Sequence, residues 1–348
     1  MIYFNNDYSE GCHPKILERL AQSNFEQTPG YGMDHYCQEA ARKIRCVCGN
    51  DELSVHFLVG GTQTNLTVID AALRPHQGVL CAESGHIHVH ETGAVEATGH
   101  KVLTLPSDDG KITAEQIAAV VNAHRNDDSM EHTVQPKMVY ISNPSELGTI
   151  YSKEELRSIS DVCRKLGLYL FLDGARLGYG LTAEGNDVTM EDLAALCDVF
   201  YIGGTKVGAL FGEAVVFRNP VIAEDFRYMI KQHGGMLAKG RLLGLQFDTL
   251  FTDDLYFKIA GKANRLADQL RMTLKELGYS MLVEGVTNQV FPILPDKLLT
   301  ELAKDFSFTE QQRVDDHHRA VRFCTSWATT QEQMDALCEK LKILSVQQ

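Results

Sequence analysis

The chain has 348 residues, 44% of them hydrophobic, enough to bury the core of one large domain and a smaller one. Its formal net charge of -13, with no basic block, sets a general repulsion against a phosphate backbone and excludes nucleic acid as the expected partner. No apolar run is long enough to span a bilayer, and "MIYFNNDYSEG" lacks the charged and apolar regions of a signal peptide, so the expectation is a soluble, unprocessed, cytoplasmic protein.

In chain order, "LSVHFLVGG", "GVLCAES", "KVLTLP", "KMVYISNP", "LYLFLDGA", "DVFYIGG" and "EAVVFR" read as strands. Most are nearly continuous in apolar residues, as strands buried on both faces should be. Between several of them lie "TQTNLTVIDAALR", "TAEQIAAVVNAHR" and "KEELRSISDVCRKLG"; the last two carry apolar residues at helical spacing. Strand, crossover helix and strand in succession predict an α/β fold with a mostly parallel sheet covered by helices. "HIHVH" places His86, His88 and His90 at alternate positions, which an extended strand would turn to one face, and "ETGAVEATG" after it reads as a helix. Without a completed ligand set, no metal site is expected there. The nine cysteines lack the spacing of a zinc ribbon or redox motif and are expected to be buried, reduced thiols.

From about Thr252 the texture changes. A long polar-rich helix, "DLYFKIAGKANRLADQLRMTLKELG", precedes the short runs "YSMLVEG" and "NQVFPILP", a helix, the strand "AVRFCTSW" and the closing helix "TTQEQMDALCEKLKIL". This predicts a small α+β domain over 252–348, packed on a large domain over 1–251 around a shared cleft.

Ligands collect at the carboxyl ends of parallel strands, which groups the loops carrying Gly60, Gly61 and Thr62, His86, Asp173, and Lys206. "GGTQTN" offers free backbone N–H groups at a helix N-terminus, a place that suits a phosphate and equally an ordinary N-capped turn. Asp173 closes an apolar strand, where an unpaired charge would cost several kcal/mol, so it needs a partner. Arg176, three residues on, is the plain candidate for that ion pair. Lys206, in "GGTKVGALFG", either caps a strand end or is a desolvated amine of lowered pKa fit to form a Schiff base.

Taken together, "NNDYSEGCHPKIL", "GYGMD", "GGTQTN", "HIHVHETGA", "LDGAR", "GGTK" and "VRFCTSWATT" resemble the fold type I enzymes that use pyridoxal 5′-phosphate (PLP), and more narrowly the low-specificity L-threonine aldolases of the β-eliminating lyase family. The resemblance implies that Lys206 carries the cofactor covalently and that Asp173 holds the pyridine nitrogen. It implies further that His86 stacks on the ring, and that Gly60, Gly61 and Thr62 bind the phosphate. Arg176 and Arg322 match the arginines that take the substrate carboxylate, and Asn6 lies where the family has a serine near that carboxylate. It implies a phosphate site completed from a neighbouring subunit, with Lys231 or Lys239 for that role; "GYGMDHYCQEAARKI" and the N-terminal arm, too short of partners to close a pocket in one subunit, predict a homodimer or homotetramer with Tyr31 contributing to the neighbour's site. The implied reaction is retro-aldol cleavage of a β-hydroxy-α-amino acid, led by L-threonine and L-allo-threonine, to glycine and an aldehyde. Another PLP-dependent β-eliminating lyase, an aminotransferase, or a catalytically idle PLP-binding scaffold are the alternatives. One departure stands out: where better-known aldolases read "ENTHN", this chain reads "SNPSELG", with Ser145 near the position of the family's histidine. Serine is a poor base, which leaves His86, His88 or a water for that role, His86 first.

Overall fold

Seven of the apolar runs join one sheet in the computed structural model, which describes residues 1–346. Its order across the sheet is Ser54–Leu58, Glu213–Phe217, Val199–Gly203, Tyr169–Asp173, Gln135–Ser142, Gln77–Ala82 and Val102–Leu105. Only Glu213–Phe217 runs against its neighbours. The expected mostly parallel α/β architecture is therefore the one observed.

Strand alternation divides the interior in two. Leu170, Leu172, Phe200, Ile202, Ala214 and Val216 point to one core, with Ile117, Leu156, Ile159 and Phe247 from covering helices. Phe171, Val199, Tyr201, Val215 and Phe217 point to the other, against Val68 and Ile69 of the helix Gly61–Ala72. Apolar side chains on both faces explain why these strands read as continuous runs rather than alternating ones.

The helix Leu255–Glu276 is 22 residues long, about 33 Å at the rise of an α-helix. Its first half (Tyr256, Ile259, Ala260, Ala263) joins the first core. Its second half (Leu266, Ala267, Leu270, Leu274) builds a third core with Val290, Leu298, Phe323 and Leu337. A small antiparallel sheet of Ile293–Pro295, His318–Cys324 and Thr309–Arg313 lies against it, with Gln289–Val290 pairing the end of the central strand. The N-terminal arm belongs to the same cluster: Phe4 is part of the third core and Ile2–Tyr3 pairs with Phe306–Ser307.

The short run "YSMLVEG" contributes an isolated bridge between Met281 and Pro292. One reading is corrected. "HIHVH" is helical over His86–Val89, because the chain turns at Ser84–Gly85 and buries Ile87 while Val89 is exposed. Helical spacing then brings His86 and His90 together, rings 5.5 Å apart, instead of setting all three histidines on one face. Eight of the nine cysteines are buried, and all nine are free thiols. No described helix is long and apolar enough to cross a membrane.

Candidate active site

The acid and the lysine are carried by two loops that pack backbone against backbone. The N–H of Gly203 donates to the carbonyl of Gly174 at 2.9 Å. A Cβ on Gly174 would stand 1.9 Å from the Tyr201 carbonyl oxygen, and one on Gly203 would stand 2.2 Å from that of Ala175. Only glycines allow this approach, which accounts for the small residues beside each charge. Beyond Gly203, Thr205 donates to Glu213 at 2.9 Å and accepts from the N–H of Gly212 at 3.0 Å, while Tyr179 donates to the Lys206 carbonyl at 2.6 Å. The loop is thereby fixed, yet Nζ of Lys206 makes no hydrogen bond or ion pair among the described residues. Desolvation holds that amine below the ordinary lysine value, and the nearby Arg176 adds to the effect, against the opposing pull of Asp7, Asp173 and Glu213.

Asp173 is 4% exposed and, among the described residues, has no cation within ion-pair distance. The plain expectation of an Asp173–Arg176 pair is therefore corrected: two guanidinium nitrogens of Arg176 turn to Asp7, Nε to Oδ2 at 2.7 Å and Nη2 to Oδ1 at 3.0 Å. Four neutral donors hold Asp173 instead. Tyr201 donates to Oδ1 at 2.6 Å, the N–H of Ala175 to Oδ1 at 2.9 Å, the Asn65 amide to Oδ2 at 3.2 Å, and the Tyr140 hydroxyl also to Oδ2. Burial beside this carboxylate pushes both tyrosine hydroxyls well above their usual range, so they stay donors. Asn65 also donates to Glu91 at 2.7 Å, and Glu91 meets Nδ1 of His86 at 2.6 Å. One buried network thus orients the His86 ring and the Asp173 carboxylate together.

Gly60 is extended and begins the helix Gly61–Ala72 without a side-chain cap. A Cβ on Gly60 would meet nothing within 4 Å, so the space before this helix is open, with Thr62 exposed beside it. Asp7 is fully buried; burial alone would raise its pKa, but Arg176 and Lys206 hold it below the ordinary carboxylate value. The Asn288 amide donates to Asp7 at 2.9 Å. Arg322 reaches in from the small sheet, donating to the Asn5 carbonyl at 2.9 Å and to Gln289 Oε1 at 3.3 Å. Among the described residues it has no carboxylate partner, and its buried Nε has no partner at all. Asn6 spends its side-chain oxygen on the N–H of Tyr8 and the hydroxyl of Ser9, both at 3.0 Å. Ser145 is buried in its own turn, bonded to Thr149 at 2.6 Å and packed on Gly110, so its hydroxyl is not a substitute for the family's histidine. His88 is exposed, and no side-chain contact ties it to this cluster.

These residues fit PLP. A buried anion without a cation suits a protonated pyridine nitrogen, an unpartnered amine suits the carbonyl, and an uncapped helix start beside open space suits the phosphate. Sequence reasoning missed Asp7, Asn65, Glu91, Glu146 and Glu213. Glu213 had a related signal, an acid opening an apolar strand where Asp173 closes one; Asp7, Asn65 and Glu91 declare themselves only through contacts distant in sequence.

Comparison with known proteins gives the family and the fold. A family model described as β-eliminating lyase matches residues 7–296. The low-specificity L-threonine aldolase of Pseudomonas aeruginosa is 30% identical over 98% of this chain and 97% of its own. A solved Leishmania major threonine aldolase superposes with a TM-score of 0.97 at 45% identity, covering 99% of this chain and 100% of that one. Aspartate aminotransferase of Thermus thermophilus shares the fold alone, with a TM-score of 0.71 at 15% identity over 99% of this chain and 91% of that one.

Proposed function

The chain belongs to the β-eliminating lyase family and has the type I fold of PLP enzymes, and on that premise we propose that it cleaves L-threonine and L-allo-threonine to glycine and acetaldehyde. It is a lyase, and its cofactor is PLP. The observation that carries the reading is a pair of opposite charges left without ionic partners among the described residues, the Asp173 carboxylate and the Lys206 amine, near enough to feel each other's charge, with the Arg322 guanidinium acting beside Lys206 on Cys324.

Bound there, the cofactor supplies an electron sink for the bond broken at Cα. Lys206 would hold its carbonyl, Asp173 its ring nitrogen, His86 its face, and Gly60, Gly61 and Thr62 its phosphate. Asp173 keeps an anionic oxygen where the ring nitrogen needs a proton. Lys206, with its lowered pKa, is a neutral nucleophile for more of the time than a surface lysine. Arg322 takes the substrate carboxylate. Arg176 shares that task through its remaining Nη1 edge, its other donors being anchored by Asp7. Asn6 keeps its amide nitrogen free beside them.

The protein is read as cytoplasmic and as a homodimer or homotetramer. Exposed apolar residues support assembly: Phe25 is 94% exposed, Tyr228 76%, Met33 55% and Tyr31 47%. Tyr31 and Met33 border a cavity of about 250 Å³ with Arg227 and Met236, and Lys231 lies 4.9 Å over the Tyr31 ring, so Lys231 or Lys239 would serve a neighbouring subunit's phosphate. Incubation with L-allo-threonine tests the function: acetaldehyde with glycine supports it, and 2-oxobutanoate with ammonia, or consumption of an oxo acid, overturns it. Hydride reduction should add the cofactor's mass to the wild type and not to Lys206→Ala. An active monomer in sedimentation would sink the assembly.

A further inference from the structure

Retro-aldol cleavage needs a group to take the β-hydroxyl proton, and Ser145 is turned away into the 145–149 turn. The next residue faces the other way. Glu146 follows the strand Gln135–Ser142 at the same sheet edge as His86 and Asp173. Its Oε1 accepts from the Ser142 hydroxyl at 2.6 Å and from the backbone N–H of His86 at 3.0 Å, while Oε2 has no partner among the described residues. Its own carbonyl accepts from Gln289 at 3.4 Å, and Gln289 in turn accepts from Arg322. The carboxyl therefore touches the backbone of the residue that would stack on the ring, while the main chain of Glu146 leads through Gln289 to the residue that would grip the substrate carboxylate.

We propose that Glu146 is the catalytic base that removes the β-hydroxyl proton, a role that rests on the aldolase reading above. Oε1 is anchored by two donors, and Oε2 is available to the substrate. Desolvation lifts this carboxyl above the ordinary glutamate value, with the charge of Asp173 adding to it and the Ser142 hydrogen bond opposing it. A base so raised is better matched to neutral pH than a surface carboxylate. The groups facing it are Cys81, His86 and Glu91 from the preceding strand and turn, Tyr140 and Ser142 from its own strand, Asp173 from the next, Tyr151, and Arg322 through Gln289. His86 is less free for the task, since Nδ1 is engaged by Glu91 at 2.6 Å.

In the step, the substrate O–H bond breaks and its proton passes to Glu146. The electron pair left on oxygen becomes the second C–O bond of the aldehyde as Cα–Cβ breaks. The pair left at Cα takes a proton from solvent to give glycine, and Glu146 releases its proton to solvent. Exchange of the glycine α-proton does not involve a β-hydroxyl, so the two activities should separate.

The test compares wild type, Glu146→Gln and Glu146→Asp, each first shown by hydride trapping and mass to carry the cofactor. Aldehyde release from L-allo-threonine is followed across pH, beside α-proton exchange of glycine in deuterated water by NMR. Glu146→Gln should lose aldehyde release by about 10²–10⁴, keep glycine exchange within about threefold, and lose the acid limb of the kcat profile, with Glu146→Asp partly restoring it. Unchanged release with an unchanged acid limb overturns the proposal and passes the role to His86 or a water. Loss of release and exchange together overturns it too, since a residue needed for both is not the β-hydroxyl base. Absence of aldehyde from wild type with every β-hydroxy amino acid removes the aldolase reading itself, whereas the first two failures leave that reading standing.

Discussion

Replacing Asp173 by asparagine removes one charge and little volume, and the consequence can be worked from its four donors. Oδ1 accepts from Tyr201 and Ala175 N–H, and Oδ2 from Tyr140 and Asn65. An asparagine amide has one oxygen, so whichever way it turns, two donors face its NH₂ group. A tyrosine hydroxyl can rotate to accept, but the Ala175 N–H or the Asn65 amide cannot. One buried donor is thus orphaned, at about 1–3 kcal/mol, and the charge-assisted character of the other bonds goes with it, so a loss of about 2–4 kcal/mol is expected in urea unfolding. Aldehyde release at saturating cofactor should fall by about 10²–10³, because no anion then holds the ring nitrogen protonated. Glu213, raised to about 8 by burial and in part by the charge of Asp173, should titrate lower in the variant. A variant with wild-type stability and activity within about threefold of wild type would refute the reasoning.

Arg322→Leu should lower kcat/KM by about 10²–10³ in steady-state assays, with Arg322→Lys recovering only part, because the guanidinium is the cleft's unpaired partner for a carboxylate. Asp7 has a folded-state pKa below the ordinary 3.8, so its pairing with Arg176 adds stability fully above about pH 4 and loses it as pH falls through the lower folded value. Chemical unfolding of Asp7→Asn should therefore show a flatter acid dependence than wild type, and an equally steep one would refute the pairing. Glu213 has the opposite sign: between 4.5 and about 8 the unfolded chain gives up its proton first, so the group subtracts stability as pH rises. Glu213→Gln, which keeps an acceptor for the Gly204 N–H, should raise the apoprotein's Tm over wild type at pH 7 and leave the two close near pH 4.5; equal Tm at both would count against it.

Much of this molecule is written locally in the chain. Seven apolar runs become seven strands because each is long enough to be buried on both faces, and the acid that ends one and the lysine just beyond another are identifiable by the cost of stranding a charge there. Gly174 and Gly203 are legible as small residues, though the backbone contact that demands them is not. The partners were decided elsewhere. Arg176 lies three residues from Asp173 yet pairs with Asp7, 169 positions away, and Arg322 is left without a carboxylate by contacts to Asn5 and Gln289. The histidines after Gly85 take a helical turn, and the 145–149 turn hides Ser145 and presents Glu146. Hydrophobic periodicity is a property of neighbours along the chain, so it survives in one dimension. Which donor meets which acceptor depends on groups hundreds of residues apart being brought within about 3 Å, and only the folded packing of the two cores against the third settles that.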